Sequence, residues 1–165
     1  MEVNLCRDAE ASGSLEPDFT QCVWTLETLE ITQQLGQHLA RHLPRGSILL
    51  LQGELGAGKT SLVQGLAQAC GIAEPITSPT FALAQHYPDG NPPLVHLDLY
   101  RLEGAGSADE LFLQEEEEAR AMGALMAVEW PERLRLALPE AWRLELSYLK
   151  TGRRAQLTPP KNAST

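Results

Sequence analysis

Basic residues are in short supply in this chain: 13 Lys and Arg stand against 22 Asp and Glu, a formal net charge of −9. A protein that grips nucleic acid unaided normally needs a basic face, so this balance makes the chain a poor stand-alone binder, and any RNA in its biology would be held mainly by partners. The imbalance is uneven. Residues 1–30 hold seven acids and one base, and the other 135 hold fifteen acids and twelve bases. Long hydrophobic runs are also missing. No stretch approaches the roughly 20 apolar residues that cross a bilayer, and the opening MEVNLCRDAE has no basic-then-apolar signal. The expectation is a cytoplasmic protein with no membrane partner. Cysteine is limited to Cys6, Cys22 and Cys70. An odd number without metal-ligand spacing excludes a cysteine metal site and a disulfide framework, so reduced thiols are expected, with Cys70 buried at a helix end. No internal repeat is present.

What is present is enough for one domain: 165 residues, 43% of them hydrophobic. Residues 1–20 mix Asp, Glu, Ser, Gly and Pro and are expected to form a disordered acidic extension. Residues 158–165, with Pro159-Pro160, read as a flexible tail, leaving 21–157 as the single folded domain. Within it, Cys22 to Leu26 fits a short strand. Residues 28–42 fit a helix, with Leu35, Leu39 and Leu43 at four-residue intervals and Pro44 ending it. TSPTFALAQHY, the turn PDGNPP and LVHLDLYRL predict a β-hairpin, and Ala108 to Met122 a helix. Ala124 to Val128 is an unbroken apolar run, the pattern of a parallel strand buried on both faces. Residues 142–148 and 153–157 predict a terminal hairpin.

Residues 53–60 read GELGAGKT, a full match to G-x-x-x-x-G-K-[ST], directly after Ile48-Leu49-Leu50-Leu51 and before the helix-compatible SLVQGLAQAC. A strand, a phosphate loop and a helix follow from that order. A triphosphate needs many donors at once, and backbone N–H groups supply them without side-chain entropy. Gly53, Gly56 and Gly58 let the backbone turn inward. The helix beginning near Gly58 aims its positive end at the same place. Lys59 is the candidate for the β- and γ-phosphates, and Thr60 for the Mg²⁺ that bridges them. A glycine turn with a solvated lysine would need one glycine, not three followed by Lys-Thr.

Glu129 closes the apolar run. Phosphate-loop enzymes place an acid at the end of a buried strand beside the loop to hold Mg²⁺ or its water; the competing reading is an acid that begins a surface loop. Asp98, in Leu-Val-His-Leu-Asp, is a second candidate acid, and otherwise a solvated group or one paired with Arg101. His96 and Trp130 read on their own as a satisfied histidine and a packing residue.

Several blocks together resemble the TsaE family, also called YjeE: Thr32-x-x-Leu-Gly36, GELGAGKT, SPTF at 78–81, HLDLYRL at 96–102 and EWPE at 129–132, over roughly residues 26–157. Members are small bacterial phosphate-loop ATPases needed for threonylcarbamoyladenosine modification of tRNA. The resemblance implies an α/β fold, a P-loop NTPase-like sheet that is mostly parallel with added antiparallel strands and helices on both faces. It implies ATP/ADP contacts at Glu54, Leu55, Gly56, Ala57, Gly58, Lys59, Thr60, Ser61 and Trp130, and Mg²⁺ held by Thr60 and Glu129. Lys59, Asp98 and Glu129 would be the catalytic set, Asp98 working near the γ-phosphate or its water. Ser78 to Phe81 would form a switch-like segment. The implied partner is a threonylcarbamoyl-transferase heterodimer of TsaD and TsaB type proteins.

The chain departs from the family pattern at Glu54 and Ser61, where Asp and Thr are usual, and after Leu111, where Gln114 and Glu115 to Glu118 replace a glycine-containing turn. Four consecutive acids predict a solvated helix face, the alternative being a partner-facing patch. The expected function is ATP binding with weak hydrolysis in support of tRNA modification. A small-molecule kinase is the alternative, with Asp98 as base, but residues 107–122 offer one Arg, Arg120, and six acids, so no arginine-bearing lid is evident. A nucleotide-dependent binding module that never needs hydrolysis is a third reading.

Overall fold

Seven strands form one sheet in the order β1-β7-β6-β2-β5-β4-β3 in the computed structural model, which describes residues 22–77, 83–104 and 106–161. The strands are β1 Cys22–Leu26, β2 Ile48–Gln52, β3 Ala84–Tyr87, β4 Leu94–Asp98, β5 Leu125–Glu129, β6 Trp142–Tyr148 and β7 Arg153–Thr158. The helices are α1 Leu29–His42, α2 Lys59–Ala69 and α3 Ser107–Met122. The central four, β6, β2, β5 and β4, are parallel neighbours. The edges β3, β7 and β1 pair antiparallel. The expected mostly parallel sheet with antiparallel additions is therefore the observed one.

The central strands carry apolar residues in both phases of the alternation because both faces are covered. Leu49, Leu51, Leu125 and Ala127 face α1 and α2 through Leu35, Leu39, Leu62 and Leu66. Leu50, Met126, Val128, Val95 and Leu97 face α3 through Ala108, Phe112 and Ala119. Helix α1 starts where Thr28 accepts the Ile31 amide on its hydroxyl at 3.2 Å, an N-cap that satisfies a donor the helix leaves open. Helices α1 and α2 touch backbone to backbone. A Cβ on Gly36 would lie 2.2 Å from the Leu62 carbonyl oxygen and one on Gly65 2.0 Å from that of Gln33. That approach brings Thr32 against the start of α2, where a Cβ on Gly58 would meet its methyl at 3.5 Å.

Two expectations change. The strand expected through LVHLDLYRL stops at Asp98, because its Oδ1 accepts the Tyr100 amide at 3.0 Å and turns the chain. The acid run is not a uniformly solvated helix face. Glu115 is buried and pairs with His86 of β3, while Glu118 reaches the other nitrogen of that ring at 3.5 Å and Glu116 pairs with Arg120 at 2.6 Å. Glu115 continues the stripe Ala108, Phe112, Ala119 at helical spacing, so the position faces inward whatever its residue type. Cys70 is buried at the end of α2 as expected, and burial pushes its thiol pKa up. The SPTF block and most of the expected acidic extension and tail lie outside the described residues. Within the tail, β7 includes Thr158, and the Lys161 amide donates to the Pro139 carbonyl at 2.9 Å.

Candidate functional site

β2 delivers the chain to the carboxyl end of the sheet, where residues 53–58 loop into α2. Gly56 at φ 80 and Gly58 at φ 108 hold the left-handed conformations that glycine adopts without steric cost. Gly58 is the N-cap of α2 and has no side chain with which to cap it, so the first amides of the helix are left for an anion. The loop is braced from β6 and β7. The Tyr148 hydroxyl donates to the Leu55 carbonyl at 2.8 Å, Arg153 donates to the Gly56 carbonyl at 3.4 Å, and the Arg153 guanidinium stacks 4.3 Å from the Tyr148 ring centre.

Lys59 folds back over the loop. Its ammonium donates to the Gly53 carbonyl and, at 3.1 Å, to that of Glu54, and sits 4.1 Å from the Trp130 ring centre. Burial pulls its pKa below the ordinary lysine value, against the opposing pull of the Glu129, Glu132 and Asp98 carboxylates. Trp130 follows β5 at φ 59, ψ 51, an uncommon backbone for a bulky residue and more so before a proline. That conformation turns the indole across the cleft mouth, where it also meets Tyr100 at 4.8 Å between ring centres.

Thr60, in the first turn of α2, holds its hydroxyl 3.5 Å from both carboxylate oxygens of Glu129. Glu129 is buried and accepts a second contact from His96 Nε2 at 2.6 Å. Asp98 pairs with Glu129 in the β4–β5 register, so the two acids end adjacent parallel strands side by side. The facing hydroxyl and carboxylate are a hard, all-oxygen donor set at the positive end of a helix. That chemistry fits Mg²⁺, which takes one or two protein oxygens and completes its shell with water and phosphate.

Lys59, Thr60, Asp98, Glu129, Trp130, Leu55, Gly56, Gly58 and Ser61 all line one cleft of about 410 Å³, joined by Leu29, Leu83, Tyr100 and Arg101. Two of the expected contact residues, Glu54 and Ala57, do not line this cleft. Glu54 lines a neighbouring groove of about 780 Å³ together with Glu132 and Glu145, and the Ala57 side chain is buried. Sequence reasoning missed Tyr148 and Arg153, whose position either side of the last hairpin turn was the available signal. It also left Tyr100 without a role, although it lies inside the HLDLYRL block.

A family model described as threonylcarbamoyl adenosine biosynthesis protein TsaE matches residues 26–156. A Synechocystis sp. protein named tRNA threonylcarbamoyladenosine biosynthesis protein TsaE is 51% identical over 113 residues, 66% of this chain and 69% of its own length. A Nostoc sp. protein of the same name is 44% identical over 134 residues, 79% of this chain and 81% of its own. The crystal structure of Bacillus subtilis YdiB superposes with a TM-score of 0.68 at 28% identity, covering 89% of this chain and 90% of that one. The matched span runs from the last residue of β1 to within β7, taking in the phosphate loop and both acid-tipped strands. The chain belongs to the TsaE family of tRNA threonylcarbamoyladenosine biosynthesis.

Proposed function

We propose that this protein binds ATP with Mg²⁺ in the 410 Å³ cleft and hydrolyses it slowly, in the cytoplasm, in support of threonylcarbamoyl transfer to tRNA. The observation that carries this reading is the convergence of Lys59, Thr60, Asp98 and Glu129 on one cleft at the uncapped start of α2. The loop amides and Lys59 would hold the β- and γ-phosphates, Lys59 leaving its carbonyl contacts to do so. Thr60 and Glu129 would hold Mg²⁺, which when bound supplies neutralisation of the developing phosphate charge. Asp98, at the end of β4, would orient the attacking water near the γ-phosphate. ADP and phosphate would be the products.

Partners supply what the chain lacks. With a net charge of −9, it reaches tRNA through a threonylcarbamoyl-transferase heterodimer of TsaD and TsaB type. A kinase would need a lid over the phosphates, and residues 107–122 instead form α3. It packs on the sheet through Ala108, Phe112 and Ala119, and its Arg120 pairs with Glu116, which favours the ATPase reading. None of the helices among the described residues is long and apolar enough to cross a membrane.

The deciding experiment is an ATPase assay of the protein alone and with the heterodimer, with and without tRNA. It is coupled to capture of the heterodimer in ATP, a non-hydrolysable analogue, ADP or no nucleotide. Slow release of phosphate, with capture that follows the nucleotide state, is expected. Equal capture in all four conditions, or transfer of phosphate to a small metabolite, would overturn the reading.

A further inference from the structure

His96 is a buried histidine in a strand, and its surroundings define what it does. In the β4–β5 register His96 faces Ala127 and Asp98 faces Glu129. Alternation along the two strands puts His96, Asp98 and Glu129 on one face of the sheet, the face covered by α2. His96 is thus the diagonal neighbour of Glu129, a separation that only a long or aromatic side chain spans. The imidazole spans it: Nε2 lies 2.6 Å from Glu129 Oε2, with His96 wholly buried. A carboxylate offers only lone pairs, so Nε2 carries the hydrogen and donates. The other ring nitrogen, Nδ1, is buried with no hydrogen-bond partner among the described residues.

That asymmetry separates two roles. A histidine kept for its own place in the core would have both nitrogens satisfied, since an orphaned buried nitrogen is unfavourable. Among the described residues the ring is anchored at one end only, and that end is Glu129. The same carboxylate faces the Thr60 hydroxyl at 3.5 Å from both of its oxygens. A donor fixed on Oε2 restricts rotation of the carboxylate and holds it toward α2. Outer partners of this kind orient metal-binding carboxylates generally.

We propose that His96 is a positioning residue that holds the Glu129 carboxylate toward Thr60 for Mg²⁺, a role that rests on the metal reading under Proposed function. The test uses the full chain with His96→Gln and His96→Asn. Gln carries an amide N–H near the place of Nε2, whereas Asn reaches only about as far as Nδ1. Both keep a polar side chain in the core. ADP binding is measured by calorimetry without metal and across a Mg²⁺ titration, with thermal melting as the check on folding.

The expected result is unchanged ADP binding without metal for both variants. The Mg²⁺ midpoint rises about tenfold for His96→Asn and stays near the parent value for His96→Gln. Two variants that match the parent, or that shift alike, overturn the proposal. A parent that binds ADP equally with and without Mg²⁺ removes the metal reading itself and this role with it. A responsive parent with unaffected variants removes His96 alone. A second measurement needs no variant: in ¹⁵N spectra of the parent, the His96 Nε2 resonance should move on adding Mg²⁺ with ADP and stay in place with ADP alone. Equal movement in both samples counts against the proposal.

Discussion

The Lys59 ammonium lies 4.1 Å from the centre of the Trp130 ring, so the lysine of the phosphate loop rests against the residue that follows the acid-tipped strand β5. The contact couples the two halves of the cleft. Lys59 also donates to the carbonyls of Gly53 and Glu54, so it is held by the loop it belongs to. On the proposed reading a phosphate would replace those acceptors and alter the field at the indole.

Trp130 should therefore report nucleotide binding. The other two tryptophans, Trp24 and Trp142, are buried in the core between the sheet and the α1–α2 layer, away from the cleft. Titrating ADP with Mg²⁺ should change the tryptophan emission of the parent, and Trp130→Phe should lose most of that change while still binding ADP by calorimetry. An undiminished signal in Trp130→Phe would show that the indole does not meet the nucleotide.

Burying the charged Lys59 costs stability. Its folded pKa is depressed by burial below the ordinary value of 10.5, so between the two values the unfolded chain carries more protons and stability rises with pH. Lys59→Met removes that penalty and should melt at or above the parent temperature near neutral pH. The advantage should shrink as pH rises toward the ordinary lysine value, because other titrating groups cancel in the difference. The same variant should lose ATP hydrolysis by about a hundredfold or more, as expected when a charge-assisted phosphate contact is removed. Melting curves of both proteins across that pH range, with phosphate release at neutral pH, measure the two effects.

The α1–α2 contact is equally exposed to test. Gly65→Ala would set a methyl group 2.0 Å from the Gln33 carbonyl oxygen, and backbone cannot give way as a flexible side chain can. Separating the helices should cost about 1 to 3 kcal/mol, read as a lower denaturant midpoint at unchanged slope. A Gly65→Ala midpoint equal to the parent's would mean that the helices separate freely.

How far the sequence leads depends on the range of the interaction. GELGAGKT between an apolar run and a helical segment is local, and so is the two-faced burial of β5; both were legible. The sheet order was not, because β2 meets β5 and β6 across long intervening segments. For the same reason the hairpin position of Tyr148 could not by itself indicate its bond to the Leu55 carbonyl, a contact made only when β6 lies beside β2. Glu115 was hidden by its neighbours, since a run of identical residues carries no periodicity from which an inward position can be read. His96 read only as a satisfied core or surface histidine because its link to Glu129 is diagonal and needs the strand register.

The two acids should fail differently, and the structure indicates which substitutions separate chemistry from folding. Asp98 turns the chain by accepting the Tyr100 amide on Oδ1 at 3.0 Å, so alanine would disturb both the turn and the cleft. Asp98→Asn keeps a carbonyl oxygen for that amide, removes the negative charge and turns the second oxygen into an N–H donor. It should melt with the parent and bind ADP as tightly, yet lose turnover by about two to three orders of magnitude if its work lies at the γ-phosphate. Glu129→Gln removes charge where Thr60 and His96 converge, so its loss should appear as a raised Mg²⁺ requirement for both binding and turnover. Titrating Mg²⁺ against ADP affinity and phosphate release in the two variants decides the assignment. Loss of ADP binding in Asp98→Asn, with a Mg²⁺ response like the parent's in Glu129→Gln, would exchange the two roles.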